Sequence, residues 1–180
     1  MKLMTNQLKK LIAEVSFKER EEPFTLKSGR KSQVYFDLRP LLLSPRGLRL
    51  ATSLMLDRIG DECDDAEAVC GILDGSASLA TAVGLRADLP ILLVRKEAKD
   101  HGTGGLLIGT ENVAIGAKVI VIEDVTTTGG SALRGVRALV EAGYVVEDVF
   151  SVVDRNEGGA AAIWLRLHSL FRKQDFSDKE

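Results

Sequence analysis

Glu123 and Asp124 stand side by side at the end of an apolar run, in VIVIEDVTTTGGSA, residues 119–132. Val125 separates them from Thr126, Thr127, Thr128, Gly129, Gly130 and Ser131, and a helical pattern begins near Ala132. Glycines let a backbone turn sharply and bring its N–H groups close to a bound group. A helix start adds unpaired N–H donors and partial positive charge, and the hydroxyls add further donors. Such a loop can cradle a phosphate. The two acids would repel that phosphate, but they suit a neighbouring group that donates hydrogen bonds, such as a ribose diol. A loop that holds a phosphate beside a diol is a ribose 5-phosphate site. The plainer reading of the same residues is a helix-capping turn with acids at a solvated strand end.

A second stretch, RKEAKDHGTGG (residues 95–105), follows another apolar run and carries Arg95, Lys96, Lys99 and His101 before its glycines. Glu97 and Asp100 offer local partners, which suits a solvated surface loop. The functional alternative is a lid that carries positive charge to a diphosphate, where charge builds up as a bond breaks. Other phosphate loops fit poorly. The pattern G-x-x-x-x-G-K-[ST] is absent, and in GTGGLLIG Leu107 occupies the third glycine position of G-x-G-x-x-G.

The elements that must position these residues follow from periodicity. Met4, Leu8, Leu11, Ile12 and Val15 mark one amphipathic helix. Ser44 and Pro45 open a second, with stripe Leu48, Ala51, Met55 and Ile59 and with Gly60 as its stop. AVCGIL, PILLV, VIVI and VEDVFSVV then read as buried strands, alternating with the helices SLATAVGL and ALRGVRALVEAG, the latter ending at Gly143. That alternation means an α/β fold with a parallel sheet covered on both faces. Ligands in such sheets sit beyond the carboxyl ends of the strands, near a topological switch point. The tail RKQDFSDKE reads as a solvated end.

The chain has 180 residues, enough for one well-packed domain. A net charge of -2 argues against bulk binding to nucleic acid or to an anionic membrane. The start has no signal-peptide core, and no segment approaches the ~20 apolar residues of a membrane span, so a cytoplasmic location is expected. Cys63, in DECDD, and Cys70, in AVCGIL, read as one exposed and one buried free thiol rather than a disulfide.

VIVIEDVTTTGGS resembles the thirteen-residue signature of the type I phosphoribosyltransferases, which bind 5-phosphoribosyl 1-diphosphate. The resemblance implies that Glu123 and Asp124 hold the ribose hydroxyls and that the segment from Val125 to Ser131 holds the 5-phosphate. The basic loop is similar to the catalytic loop of the orotate phosphoribosyltransferases, with Arg95, Lys96, Lys99 and His101 on the diphosphate. There the loop reaches into a partner's site, which implies a homodimer sharing residues 95–105 across the interface. FTLKSGRKSQVYFDLR (residues 24–39) is similar to the family's substrate segment. Lys27 matches a donor-binding lysine, and Tyr35 and Phe36 match an aromatic pair lining the base pocket. In VVDRNEGG, Arg155 matches the arginine that, with a threonine matching Thr127, reads orotate; a guanidinium suits its ring carboxylate.

The expected architecture is the type I phosphoribosyltransferase fold: a central, mostly parallel sheet flanked by helices, a small hood over residues 1–40 and a core over about 41–160. The expected reaction makes orotidine 5'-monophosphate and diphosphate, with Lys99, His101 and Asp124 catalytic. Mg2+ would be held mainly by the substrate, bridging diphosphate oxygens and ribose hydroxyls. A purine or uracil phosphoribosyltransferase, or a donor-binding regulator without catalysis, are the alternatives. One departure stands out. The family's loop after the first core strand usually holds a glycine pair, whereas here it reads Asp74-Gly75-Ser76-Ala77-Ser78. Asp74 puts negative charge near a diphosphate, and Ser76 is placed to cap the next helix.

Overall fold

The structure is a computed structural model that describes residues 1–25, 31–73, 75–97 and 105–176. Helix α1 (Lys2–Val15) leads into a hairpin of β1 (Phe17–Thr25) and β2 (Lys31–Phe36), followed by a short α2 (Arg39–Leu42) and the long α3 (Pro45–Glu62). Strand β3 (Ala68–Ile72), helix α4 (Ala77–Ala87) and strand β4 (Ile91–Val94) come next, then a two-residue β5 (Leu107–Ile108). The second half runs β6 (Val119–Thr126), α5 (Gly130–Glu141), β7 (Asp148–Asp154), α6 (Gly159–Ala162) and β8 (Arg166–Arg172).

The hairpin forms its own antiparallel sheet, apart from a six-stranded sheet of order β5-β4-β3-β6-β7-β8. All neighbours in the large sheet are parallel except β4 and β5. The apolar run of β6 shows why both faces are covered. Ile120 and Ile122 join one core cluster with Leu54, Met55, Leu79 and Val83 from α3 and α4. Val119 and Val121, one residue out of phase, join a second cluster with Val136 and Leu139 of α5. Side chains alternate across a strand, so a strand covered on both faces is apolar throughout. From β3 the chain winds outward through α4 to β4, and from β6 it winds the other way through α5 to β7. The switch point therefore lies between β3 and β6, which pair directly.

Several expectations need correction. The VIVI strand continues through both acids to Thr126, because β7 pairs with it as far as Asp154. Gly60 does not stop α3: it sits in open space without a left-handed conformation, and the helix runs on to a cap at Cys63. Ser44 does cap that helix, accepting the Gly47 N–H at 3.1 Å. Val15 falls off the buried stripe of α1 and is exposed. Cys63 is buried as well as Cys70, since its side chain turns into the first cluster and its thiol meets Asp65 at 3.4 Å. β7 is not the last strand, because β8 pairs along its outer edge. Nor is the tail simply solvated. Phe176 packs on Phe17, Phe36 and Phe171, with ring centroids 5.4–6.0 Å apart, and so ties this part of the tail to the hairpin, while residues 177–180 lie outside the described residues.

Candidate active site

Glu123 and Asp124 occupy the carboxyl end of β6, beside the switch point. Consecutive strand residues face opposite sides, which separates their environments. Glu123 is only 5 % exposed, and its Oε2 has no hydrogen-bond partner among the described residues. Burial, then repulsion by Asp124, pushes its carboxyl well above the ordinary range, while Arg134 and Ser131 pull the other way. Asp124 is half-buried and accepts the Val125 N–H at 2.8 Å. Burial raises its pKa too, and that backbone hydrogen bond opposes the rise. Two carboxyls with open acceptor capacity at a buried strand end suit a ligand that supplies hydroxyl donors.

The loop from Thr126 to Ser131 turns directly into α5. Gly129 adopts φ 77°, a left-handed conformation that sets the N–H groups of the first turn of α5 free for a ligand. Thr126 is 2 % exposed, and its buried hydroxyl has no partner among the described residues. A small recess runs from Glu123 along this loop to Ala132. Hydroxyls and helix-start N–H groups along it are donors of the kind that bind anions.

The loop after β3 faces the acids. A Cβ at Gly75 would lie 2.7 Å from Asp124 Oδ1, so only glycine lets the two loops approach this closely. Ser76 stands at the start of α4 but does not cap it with its side chain. Its hydroxyl instead accepts the Ile72 N–H at 2.9 Å and donates to the Ile122 carbonyl at 2.6 Å, so both of its strong contacts go to the sheet. Asp74 lies outside the described residues.

Arg95 closes the base of the basic loop: its N–H reaches Leu106 O at 2.8 Å and its guanidinium reaches Gly105 O at 3.0 Å. Lys96 is exposed at the same place. Lys99, His101 and Lys27 lie outside the described residues. Arg155 is 3 % exposed, and its backbone N–H donates to Thr126 O at 2.9 Å, which sets it against the phosphate loop. Its guanidinium donates to Val34 O at 2.9 Å and to Glu157 Oε1 at 2.7 Å, so it also clasps the hairpin. Tyr35 is half-buried, while Phe36 turns the other way into the aromatic cluster with Phe17. The fold thus gathers Glu123, Asp124, the Val125–Ser131 loop and Arg155, with Tyr35 on the strand that Arg155 holds, and directs the Phe36 ring into the core.

Sequence reasoning passed over Asp37 and Arg39, which form a two-point ion pair at 2.7 and 2.8 Å just after β2. Hydrogen bonding to Arg39 lowers the pKa of Asp37, and Asp37 raises that of Arg39; both feel or influence Asp124. The signal was available as two opposite charges spaced two apart at a strand's end.

With this geometry in hand, the likenesses to known proteins are informative. Residues 41–162 match the family model described as the phosphoribosyl transferase domain. The orotate phosphoribosyltransferase of Thermosynechococcus vestitus is 46% identical over 160 residues, covering 84% of this chain and 82% of the relative. That of Pyrococcus furiosus is 43% identical, covering 78% and 76%. Among solved structures, the orotate phosphoribosyltransferase of Mycobacterium tuberculosis in complex with 5-phospho-alpha-D-ribosyl 1-diphosphate superposes with a TM-score of 0.75 at 31% identity, covering 97% of this chain and 99% of that one. The chain belongs to the phosphoribosyltransferase family, among the orotate phosphoribosyltransferases.

Proposed function

We propose that this protein transfers ribose 5-phosphate from 5-phosphoribosyl 1-diphosphate to N1 of orotate, giving orotidine 5'-monophosphate and diphosphate for pyrimidine biosynthesis. The observation that carries the reading is the pairing of Glu123 and Asp124, at the end of β6, with the glycine-turned helix start at Gly129, beside the switch point of the sheet. Orotate attacks as its N1 anion. The N1–C1 bond forms as the bond from C1 to the diphosphate oxygen breaks, and the electron pair leaves on the diphosphate.

No protein nucleophile is needed, so the chain's contribution is placement and charge stabilisation. The Thr126–Ser131 loop fixes the 5-phosphate, and Glu123 and Asp124 orient the ribose hydroxyls. Asp124 also offsets the positive charge that develops on the sugar. Arg155 receives the orotate carboxylate beside Tyr35, exchanging its contact with Glu157 for a charge-assisted pair. Lys99 and His101 stabilise the departing diphosphate, together with Arg95 and Lys96, and Lys27 assists at the donor. The site fits a Mg2+ ion that arrives on the donor: Asp124 lies against Gly75, where a diphosphate would otherwise meet an uncompensated carboxylate. When bound, the ion would neutralise part of the diphosphate charge and make it a better leaving group.

The reading includes a cytoplasmic homodimer whose 95–105 loops cross between copies. Among the described residues no helix is long and apolar enough to cross a membrane. The test is to incubate the protein with orotate, donor and Mg2+ and to follow loss of orotate absorbance, omitting each in turn. Turnover requires all three if the reading holds. Turnover of uracil or a purine in place of orotate would redirect the substrate assignment, and donor binding without diphosphate release would favour a regulator.

A further inference from the structure

The stretch after Arg155 turns back under the phosphate loop, and the two segments fit face to face through a glycine on each side. A Cβ on Gly159 would lie 2.6 Å from the Thr126 methyl, 2.8 Å from Thr127 O and 3.4 Å from Gly129 N. Gly159 has no left-handed backbone conformation, so its lack of a side chain is explained by space alone. From the other side, a Cβ on Gly129 would meet Ile163 at 2.9 Å and the Gly159 carbonyl at 3.2 Å. Ile163 is 1 % exposed, and its N–H bonds Gly159 O at 2.8 Å, which locks both contacts into one short turn. Gly158 opens that turn at φ 96°.

We infer that Gly159 and Ile163 are positioning residues for the 5-phosphate: they form the rear wall that holds Thr126 to Gly129 in the shape that aims its donors at the ligand. The inference rests on the donor-binding reading above and adds what sets the loop's conformation. Pairing of β6 with β7 holds the loop only as far as Thr126, whose buried hydroxyl has no partner among the described residues, and Gly129 beyond it is left-handed. The wall also begins four residues after Arg155, which holds Thr126 O through its own N–H. The segment that reads the base is thus the one that braces the phosphate loop.

The size of the effect follows from the contact. Carbon atoms pack at roughly 3.5–4.0 Å, so a methyl placed 2.6 Å from the Thr126 methyl displaces the loop by about 1 Å. Misplacements of that size cost up to about a hundredfold in sites that depend on geometry. The experiment measures binding of ribose 5-phosphate and, separately, of Mg2+–diphosphate to the wild-type chain, Gly159→Ala and Ile163→Val by calorimetry, with a thermal melt of each. For Gly159→Ala, ribose 5-phosphate should weaken by about tenfold or more, while diphosphate stays within about twofold. Unchanged ribose 5-phosphate binding, or equal weakening of both compounds, overturns the inference. If Gly159→Ala does not fold, Ile163→Val decides: a preferential loss of ribose 5-phosphate supports the wall, and an equal loss or none overturns it. A wild-type chain that binds neither compound overturns the donor reading itself, whereas a failure confined to the variants overturns only this inference.

Discussion

Glu123→Gln should make the protein more stable and less active, and the stability gain should depend on pH in a defined way. Glu123 is 5 % exposed, with Oε2 unpartnered among the described residues. Burial holds its folded pKa well above the ordinary 4.5. A group whose folded pKa is raised contributes stability that is fully present below the unfolded value and is lost as pH rises towards the folded one. Above 4.5 the unfolded chain has given up this proton and the folded chain has not. Wild-type stability therefore falls by about 1.4 kcal/mol per pH unit on this account, until the folded group ionises as well. Glutamine is nearly isosteric, still offers a donor towards Asp124, and does not titrate. The unfolding free energy of the variant minus that of the wild type should be near zero around pH 4. It should then climb with that slope and level off at the folded pKa. Denaturant unfolding of both proteins at intervals between about pH 4 and pH 8 measures the difference. A difference that is flat across the range would refute the claim that the carboxyl is kept neutral by burial. The same variant should lose turnover, because its NH2 can only donate where a carboxyl oxygen would accept a ribose hydroxyl, the pattern of a site that gives up stability for function.

Lys99→Ala should lower kcat by two or more orders of magnitude, about 3 kcal/mol of transition-state stabilisation, in the orotate absorbance assay; wild-type turnover would remove the loop from the mechanism. Arg155→Lys should raise the KM for orotate by about ten- to a hundredfold, the range of one charge-assisted hydrogen bond, with the donor KM little changed. A parallel rise in both would show that the residue merely ties β2 to β7. Mixing inactive Lys99→Ala with inactive Asp124→Asn should restore about a quarter of wild-type sites if the basic loop serves the neighbouring copy, because random dimers pair one intact loop with one intact acid. No recovery would mean that each copy supplies its own loop.

The sequence revealed elements wherever burial imposes a period. β3, β4 and the first half of β6 were legible as apolar runs, and β7 as one interrupted by Ser151, because helices cover both faces of their sheet. β5 is two residues long, and β8 is buried only at His168 and Phe171 and begins and ends on exposed arginines, so neither gives such a run. The end of α3 was misread because a glycine signals a stop only when it adopts a left-handed conformation, and Gly60 does not. At the site, the acids and the Thr/Gly loop could be read locally, since strand, turn and helix are contiguous there. The approach of Gly75 to Asp124, the brace of Gly159 and Ile163, and the hold of Arg155 on Val34 join parts of the chain far apart in order. No spacing rule reports such meetings. Phe36 shows the opposite limit: a neighbour of Tyr35 in sequence faces away from it in a strand.

Ser76 spans two strands with one oxygen, taking a hydrogen from Ile72 and giving its own to Ile122. That rivet reinforces the ladder that already pairs β3 with β6, so that, on the proposed reading, the diphosphate side and the sugar side of the cleft stand on one stiff plate. Any opening and shutting during turnover must then be carried by the rim, while the plate beneath keeps its register from one catalytic cycle to the next.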